Sequence, residues 1–387
     1  MNKHTTIFKQ LLQMIPRSAF KKATLQYLTE FASKGFSSWT HFTVMFFSQL
    51  SGQKGLRGLE YGINSQKDLH NHLEIKRPVK RTTIAYANQN RSYKLFELLY
   101  YAILKRTEIV QPKHKHKFKN SLFSIDATTI DLCLKLFPWA KFRKGKAGVK
   151  VSVTLDHKGY IPKFAVLYNA REHEVTKVDI KQFNPGDVVT FDRGYNSYSL
   201  FSDFSRNGIY FVTRQKTDSK YRVIKRNTTD KTNGIIRDEI ISFTGLKAKE
   251  KCSVHLRRII SKDMETGKTI VILTNHLSWA ASTISKVYRD RWQIELFFKA
   301  MKQNLKIKSF LGTSENAVLI QIWTAMIVYL LYSFMKFKAK VGICFKNFML
   351  VLPTVLFQRR DLWEWLFSKV KPSLPNVGNN VQIELCF

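Results

Sequence analysis

The sequence predicts an α/β protein in which a sheet-containing core follows an all-helical first third and precedes further helices. Three observations support this fold class. Apolar residues recur at helical spacing through residues 1–110. Short alternating runs rich in β-branched residues occupy residues 118–214, and a long amphipathic helix is predicted over residues 281–306. A chain of 387 residues is long enough to bury one large core or a few smaller ones.

The N-terminal region, residues 1–110, is predicted to be a basic helical domain that binds DNA. Residues 1–120 hold 21 Lys and Arg against 6 Asp and Glu. The helix predicted over residues 81–105 begins basic and polar and ends apolar. A basic helix pair with a polar face is typical of DNA-binding domains, so Arg81 and Arg91 are the predicted DNA contacts. The alternative is a solvated helix bundle that makes no groove contact.

The charge balance of the whole chain indicates a polyanionic partner. Lys and Arg number 64 against 28 Asp and Glu, which gives a net charge of +36 and a pI near 10. Because such an excess repels itself in a lone compact protein, it favours binding to nucleic acid or to an anionic membrane surface. Hydrophobic residues make up 44% and aromatic residues 13% of the chain, which excludes a disordered basic tail.

The residues disfavour several classes of site. The four cysteines lie far apart and form no C-x-x-C pair, so we expect neither a Cys/His zinc site nor a disulfide framework. A glycine-rich phosphate loop, which nucleotide hydrolysis would require, is not found in the sequence. Residues 1–16 carry scattered Lys and no continuous apolar core, and they do not resemble a signal peptide.

One apolar segment, residues 316–335, has no charged side chain and is long enough to span a bilayer. It contains polar residues such as Gln321, and no second segment of the sequence matches it. A helix that is apolar all round is also found in the core of large soluble proteins. We therefore interpret it as a buried helix within a C-terminal helical region, residues 313–370, which a tail at residues 371–387 follows.

The middle of the chain is predicted to form a sheet with helical crossovers. The expected order is three strands, a helix, a strand, a helix and a strand, at residues 121–126, 149–156, 161–169, 173–183, 187–192, 197–207 and 209–214. This is the order of the ribonuclease H-like fold, in which a hairpin-built sheet gains parallel strands through helices. Residues 215–268 then indicate a β-rich insertion, before a last strand and the long helix.

Three acidic residues occur where these elements would bring them together. Asp126 and Asp192 each end a predicted strand, and Glu295 lies in the long helix. Carboxylates at the ends of neighbouring strands face one cleft, and a few carboxylates are what Mg²⁺ binds beside water and substrate phosphate. Two such ions roughly 4 Å apart would activate an attacking oxygen and stabilise the leaving one. Taken singly, either aspartate is also explained as a turn or cap residue.

The long helix carries a polar stripe beside its apolar face. Tyr288, Arg291, Glu295 and Lys302 fall within an arc of about 60° at ~100° per residue. Cations that flank a carboxylate are expected where a metal-bound acid sits among phosphates. The alternative is a surface ion-pair stripe, which stabilises a helix by only a few tenths of a kcal/mol.

The spacing of that stripe, Tyr288-x-x-Arg291-x-x-x-Glu295-x-x-x-x-x-x-Lys302, matches the Tyr-Arg-Glu-Lys signature of DDE transposases of the insertion-sequence-4 family. The surrounding YRDRWQIELFFKAMKQNLK resembles that family's third catalytic block. IDATTIDL resembles the first block and TFDRGY the second. The stretch from IFKQLLQMIPRSAF to VKRTTIAYANQNR is similar to the N-terminal domain of a bacterial subgroup, so the resemblance covers nearly the whole chain.

The resemblance implies a ribonuclease H-like catalytic core that a β-rich insertion at residues 215–268 divides into residues 118–214 and residues 269–312. It implies two Mg²⁺ or Mn²⁺ ions as cofactors. Three side chains would hold the ions, namely Asp126, Asp192 and Glu295. Three others would contact DNA phosphates, namely Tyr288, Arg291 and Lys302. Trp292 would stack on a displaced base, with plain packing against the sheet as the alternative.

By this resemblance the expected function is that of an insertion-sequence transposase. It would bind the terminal inverted repeats of double-stranded DNA, cleave phosphodiesters through metal-activated water and join the freed 3′-OH to target DNA, by cut and paste. We expect a homodimer on paired ends in the bacterial cytoplasm, associated with the nucleoid and not with a membrane. The alternative is a non-catalytic DNA-binding protein derived from a transposase.

Overall fold

The computed structural model describes residues 5–30, 33, 35–229, 233–262, 267–305 and 309–368. The described residues divide into two compact units. The helical unit comprises those of Met1–Pro112, Ile130–Gly148 and Phe297–Phe387, and the sheet unit comprises those of Lys113–Thr129 and Val149–Leu296. The predicted tail at residues 371–387 lies outside the described residues.

The elements follow in chain order. The helices are α1 (Ile7–Gln13), α2 (Arg17–Gln26), α3 (Ser38–Ser51), α4 (Leu56–Asn64), α5 (Arg81–Asn90), α6 (Lys94–Val110), α7 (Tyr198–Arg206), α8 (Leu246–Lys251), α9 (Ala281–Asp290), α10 (Trp292–Asn304), α11 (Glu315–Ala339), α12 (Phe345–Val355) and α13 (Leu362–Ser368). The strands are β1 (Leu122–Leu132), β2 (Lys141–Arg143), β3 (Lys146–Asp156), β4 (Ile161–Asn169), β5 (Val188–Phe191), β6 (Tyr210–Arg214), β7 (Tyr221–Arg226), β8 (Ile235–Phe243), β9 (Leu256–Lys262) and β10 (Thr269–Thr274).

Helix α11 forms the centre of the helical unit, where it packs against α3, α5 and α6. Among the described residues it is the one helix long and apolar enough to span a membrane, but 94% of its apolar window is buried inside the protein. Because α11 is apolar all round, it needs a shell of other helices. The N-terminal helices supply that shell, and Asn316 donates hydrogen bonds to the carbonyls of Asn88 and Arg91. The predicted N-terminal and C-terminal helical regions therefore share one unit.

The sheet has the strand order β4–β3–β1–β5–β6–β10–β9–β8–β7, and β2 pairs with the start of β3. Strand β1 is parallel to β5, and β5 is parallel to β6. Strand β10 is antiparallel to both β6 and β9. The predicted insertion at residues 215–268 contributes β7, β8 and β9, so it extends the same sheet at its edge.

Side chains of β1 alternate between the two faces of the sheet, as the two-residue period of a strand requires. Phe123 and Ile125 pack in the core that includes α7, whereas Leu122 packs in the core that includes α9. The alternation therefore places Ser124 and Asp126 on the α9 face. Burial of the apolar side chains of α9 on this face, at about 1.5–3 kcal/mol each, holds the helix against the sheet.

The predicted helix at residues 173–183 is absent, and two short 3-10 turns, Glu174–Lys177 and Ile180–Gln182, occupy the segment. The segment is rich in β-branched residues, which lose side-chain freedom in a helix. The side chain of Asp179 also accepts a hydrogen bond from the backbone N–H of Lys181, which favours a turn over a continuous helix.

The predicted long helix at residues 281–306 is two helices, α9 and α10, with Arg291 between them; residue 306 lies outside the described residues. Backbone bonds from Arg291 N to Tyr288 O and from Ile294 N to Arg291 O span three residues instead of four, so the chain tightens at this junction. The predicted strand at residues 121–126 also differs, because β1 continues to Leu132.

Candidate active site

Asp126 and Asp192 occupy matching positions on two adjacent parallel strands. The last paired residues of β1 and β5 are Ile125 and Phe191. Asp126 follows Ile125 within β1, and Asp192 directly follows Phe191, the last residue of β5. Val188 packs in the α9 core, so the alternation along β5 places Asp192 on the α9 face as well. Asp126 thus lies within β1, not at its end, because β1 extends beyond its short partner.

Burial raises the pKa of Asp126 to about 6. The backbone N–H of Ala127, 2.8 Å from Oδ1, and the charge of Arg291 oppose this shift, whereas the charges of Glu174 and Glu295 add to it. A carboxylate that is buried near other acids is destabilised in its charged form. A cation bound beside Asp126 would relieve that destabilisation.

Arg291 connects Asp126 with Glu295. Its Nη2 lies 2.6 Å from Glu295 Oε1, and its Nη1 lies 3.9 Å from Asp126 Oδ2. Burial opposes the charged guanidinium, but the bond with Glu295 and the nearby negative charges prevail and raise the pKa of Arg291. The i, i+4 relation of Arg291 and Glu295 survives the break between α9 and α10, because the junction remains close to helical.

Tyr288 lies beside both Arg291 and Asp192. The guanidinium carbon of Arg291 is 5.8 Å from the centre of the Tyr288 ring. Burial raises the pKa of the Tyr288 hydroxyl; Arg291 and Arg214 oppose this shift, and the charge of Asp192 adds to it. The structure therefore places three of the predicted site residues around Arg291, namely Asp126, Tyr288 and Glu295, and a fourth, Asp192, near Tyr288.

The three acids have the hard oxygen donors that Mg²⁺ and Mn²⁺ prefer. Within the described ranges, no three His, Cys, Asp or Glu side chains are grouped closely enough to form a metal site. Instead, Glu295 is paired with Arg291. The donor chemistry therefore fits a divalent ion, and Glu295 would have to exchange the guanidinium for the ion.

The remaining predicted site residues are in different surroundings. Trp292 is the first residue of α10 in the sheet unit and is 56% exposed. Lys302 is near the end of α10, in the helical unit. Arg81 is exposed at the start of α5. Arg91 is turned inward: it donates to the carbonyl of Phe36 and lies over that residue's ring, which disagrees with its predicted role as a DNA contact.

A cluster of buried polar residues beside the acids was not predicted from the sequence. Asp290, the last residue of α9, lies 2.6 Å from Lys115 Nζ, 3.1 Å from His116 Nε2 and 2.9 Å from His157 Nδ1. Burial disfavours the charged form of Asp290, but these three partners prevail and lower its pKa far below the usual range. Residues 111–120, the linker between α6 and β1, are thus held by this carboxylate through Lys115 and His116.

The cluster continues from His157 into the sheet. Ser124 Oγ lies 2.7 Å from His157 Nε2 and 2.7 Å from Thr190 Oγ1. Burial lowers the pKa of His157 although Asp290 opposes the shift, so the imidazole is neutral at neutral pH. A neutral ring donates from Nδ1 to Asp290 and accepts at Nε2 from the Ser124 hydroxyl. The only signal in the sequence was the acid Asp290 immediately before Arg291.

Comparison with known proteins adds a family. Residues 117–331 match the family model described as "Transposase DDE domain", and residues 3–76 match one described as "Domain of unknown function (DUF4372)". "Putative transposase y4zB" of Sinorhizobium fredii is 32% identical over 242 residues, which are 62% of this chain and 67% of that protein.

Two further relatives are insertion-sequence proteins by name. "Probable transposase for insertion sequence element IS5377" of Geobacillus stearothermophilus is 28% identical over 62% of this chain and 64% of that protein. "Putative transposase for insertion sequence element IS4SA" of Synechocystis sp. is 23% identical over 80% of this chain and 87% of that protein. The matched part therefore spans about two thirds of the length of the first two relatives.

Proposed function

This chain belongs to the transposase DDE domain family, and we propose that it is the transposase of an insertion sequence, an endonuclease that cleaves DNA at the element's ends and joins the freed 3′-OH to target DNA. The prediction of a DDE transposase is confirmed at the level of the family. The insertion-sequence-4 subgroup, the ribonuclease H-like assignment of the core and the predicted domain boundaries are parts of this proposal, and the Tyr288–Arg291–Glu295–Lys302 spacing supports the subgroup.

One observation supports the chemistry most strongly. Asp126 and Asp192 are in register on adjacent parallel strands, on the face that α9 covers, and Arg291 links Asp126 to Glu295. A structural role requires neither this register nor a partly buried carboxylate with a raised pKa. Two or more carboxylates on one sheet face are what divalent-ion catalysis of phosphodiester cleavage requires.

We propose that Asp126, Asp192 and Glu295 hold two Mg²⁺ or Mn²⁺ ions. When bound, the ions would supply an activated attacking oxygen and stabilise the leaving oxygen. The chain's own part begins with Asp126, which is largely ionised at pH 7 because its pKa is about 6. Glu295 would hold an ion in place of its bond with Arg291, and the guanidinium, whose fork of donors suits a phosphate, would then be available to the DNA backbone.

Other residues hold the DNA in this proposal. Tyr288 and Lys302 contact phosphates of the transposon end, and Trp292, with its exposed indole, stacks on a displaced base. Arg81, exposed at the start of α5, contacts the DNA backbone, whereas the inward-facing Arg91 stabilises the fold. We further propose that the protein acts as a homodimer on paired ends in the bacterial cytoplasm, on the nucleoid, with no membrane association.

The proposal is tested by cleavage of a DNA duplex that carries the inverted repeats flanking the reading frame. With Mg²⁺ the wild type is expected to cut at the repeat ends, whereas Glu295→Gln binds the ends but leaves them uncut. Glu364→Gln removes an exposed acid of α13 and is the matched control, which should cleave normally. Full cleavage by Glu295→Gln would contradict the site, and end binding without Mg²⁺-dependent cleavage by the wild type would support a non-catalytic DNA-binding protein.

A further inference from the structure

A continuous chain of four polar side chains crosses the buried face of the sheet unit. Thr190 on β5 lies 2.7 Å from Ser124 on β1, Ser124 lies 2.7 Å from His157 in the turn after β3, and His157 lies 2.9 Å from Asp290 at the end of α9. All four residues are buried. A buried polar chain of this kind is costly unless every member has a partner, and here each one has.

Three of the four residues, Thr190, Ser124 and Asp290, lie one or two positions before a residue of the proposed site. Thr190 is two residues before Asp192, and Ser124 is two residues before Asp126. The two-residue period of a strand puts each pair on one face. Asp290 adjoins Arg291 and stands one and a half helical turns before Glu295. The hydrogen-bonded chain therefore connects, through short rigid segments, the three elements that carry the three acids.

Asp290 is unfavourably placed by local rules, which argues that it has a purpose beyond helix formation. It is a charged side chain within a nearly continuous helical segment, because the backbone continues through Arg291 into α10. It is also buried. Four groups from other segments face it: Lys115 and His116 from the linker, His157, and the hydroxyl of Tyr160 at 3.4 Å. These partners offset the cost of a buried carboxylate.

We propose that Asp290 and His157 are positioning residues, which fix the distance between α10 and strands β1 and β5 so that Asp126, Asp192 and Glu295 can share divalent ions. The inference rests on the proposed function, since it concerns the same three acids. Partners of metal ligands typically change metal affinity or activity by about 10–100-fold when they are removed. A displacement of about 1 Å at the reacting groups has a similar effect on rate.

The test compares three variants of the full-length protein. Asp290→Asn keeps the shape of the side chain but removes its charge. Ser124→Ala removes the hydrogen bonds of Ser124 to His157 and Thr190 and leaves the contacts of Asp290 intact. It therefore remains informative if Asp290→Asn folds poorly. Asp238→Asn is the matched control, because Asp238 is an equally buried acid of the same unit, paired with Arg257 at 2.6 Å and outside the polar chain.

The first measurement is the rise in melting temperature that Mn²⁺ causes in the absence of DNA. The rise that remains in Glu295→Gln is subtracted, so that only Mn²⁺ binding that depends on Glu295 is counted. The second is the single-turnover cleavage rate per correctly folded molecule. We expect Asp290→Asn and Ser124→Ala to weaken the apparent Mn²⁺ affinity by about 10–100-fold, and to slow cleavage while leaving end binding unchanged. Asp238→Asn should lower the melting temperature without changing the Mn²⁺ affinity.

Further outcomes separate this inference from the proposed function. Because the two variants act on one chain, their combined effect on Mn²⁺ affinity should be smaller than the product of the single effects. Wild-type Mn²⁺ affinity in both variants, or equal losses in Asp238→Asn, would overturn the positioning role. A wild type that binds Mn²⁺ through Glu295 but never cleaves DNA would overturn the proposed function and leave the positioning role supported if the variants weaken that binding.

Discussion

Arg257, which is buried, and Arg291, which is partly buried, are arginines of the sheet unit that face acidic side chains, and their hydrogen bonding differs. Arg257 donates from Nε and Nη2 to the two carboxylate oxygens of Asp238, at 2.8 and 2.6 Å. Its Nη1 donates to the backbone carbonyls of Leu277 and Trp279. Four of the five N–H donors of this guanidinium are thus used within the protein, and we interpret Arg257 as a structural tie between β8, β9 and the chain after β10.

Arg291 is less completely satisfied. It makes one short bond, to Glu295, and its distance to Asp126 is 3.9 Å. Its Nε is buried and has no hydrogen-bond partner among the residues that the structure describes. A buried donor without a partner costs about 1–3 kcal/mol. The difference teaches that the sheet unit uses four donors of its structural arginine and leaves a buried donor of Arg291 without a partner, which agrees with the phosphate contact that we propose for Arg291.

The largest expected effect is a loss of stability when Arg257 loses its carboxylate partner. Asp238→Ala leaves Arg257 charged, buried and unpaired, and breaking a buried pair in this way destabilises a protein by about 3–5 kcal/mol. Urea unfolding at pH 7 should show a loss of that size. The cleavage rate per folded molecule should equal that of the wild type. A large fall in that rate would mean that Arg257 belongs to the site, and the contrast with Arg291 would be lost.

The next largest expected effect is a slower DNA cleavage when Arg291 is replaced. Arg291→Lys keeps the charge but loses the planar fork that meets a carboxylate or phosphate with two donors. We expect DNA cleavage to slow by about 100-fold, or about 2.7 kcal/mol, with little change in urea unfolding because the Glu295 pair is partly exposed. Arg226→Lys, at an exposed arginine that faces Glu239, is the control and should cleave normally.

Local patterns in the sequence were sufficient to predict which side chains share a face at the α9–α10 junction and on strands β1 and β5. Helical spacing predicted that Arg291 and Glu295 lie on one face, and they are bonded across the helix junction. Strand endings predicted that Asp126 and Asp192 come together, although the length of β1 was wrong. Both predictions depend on neighbours in sequence or on the edge of a parallel sheet, which periodicity can detect.

The buried polar cluster around Asp290 and the packing of the helical unit depend on contacts between distant segments, which local patterns do not encode. His157 and Asp290 are 133 residues apart, and Asn316 bonds to a carbonyl at Asn88, 228 residues away. The missed 3-10 turns at residues 173–183 have another cause, because β-branched residues and one turn-forming aspartate disfavour the polar helix that was predicted there. Tertiary partners and side-chain capping, rather than periodicity, decided these regions.

Two buried histidines also differ in their partners, since His157 hydrogen-bonds a carboxylate, whereas His41 Nε2 lies 2.7 Å from the amide oxygen of Asn88. Burial lowers the pKa of His41 to about 3, against 6.5 when unfolded. Unfolded chains therefore take up the proton first, so the stability that neutral His41 contributes is complete above pH 6.5 and falls as the pH drops towards 3. Between pH 7 and pH 5 this loss should be about 2 kcal/mol.

His41→Gln tests this expectation because Gln can donate to Asn88 and does not titrate. The variant should lose about 2 kcal/mol less than the wild type between pH 7 and pH 5 in urea unfolding. Equal pH dependence of the two proteins would mean that His41 is protonated in the fold, and the distinction between an amide-facing and a carboxylate-facing histidine would fail.

The smallest expected effect is the stability of Glu295→Gln, and it is the sharpest test of the contrast between the two arginines. Glu295 is a third exposed, and its bond with Arg291 is an i, i+4 pair, worth about 0.5 kcal/mol. Urea unfolding of this variant should therefore be nearly that of the wild type although its cleavage is lost. A loss above about 2 kcal/mol would show instead that Glu295 and Arg291 form a structural pair like Asp238 and Arg257.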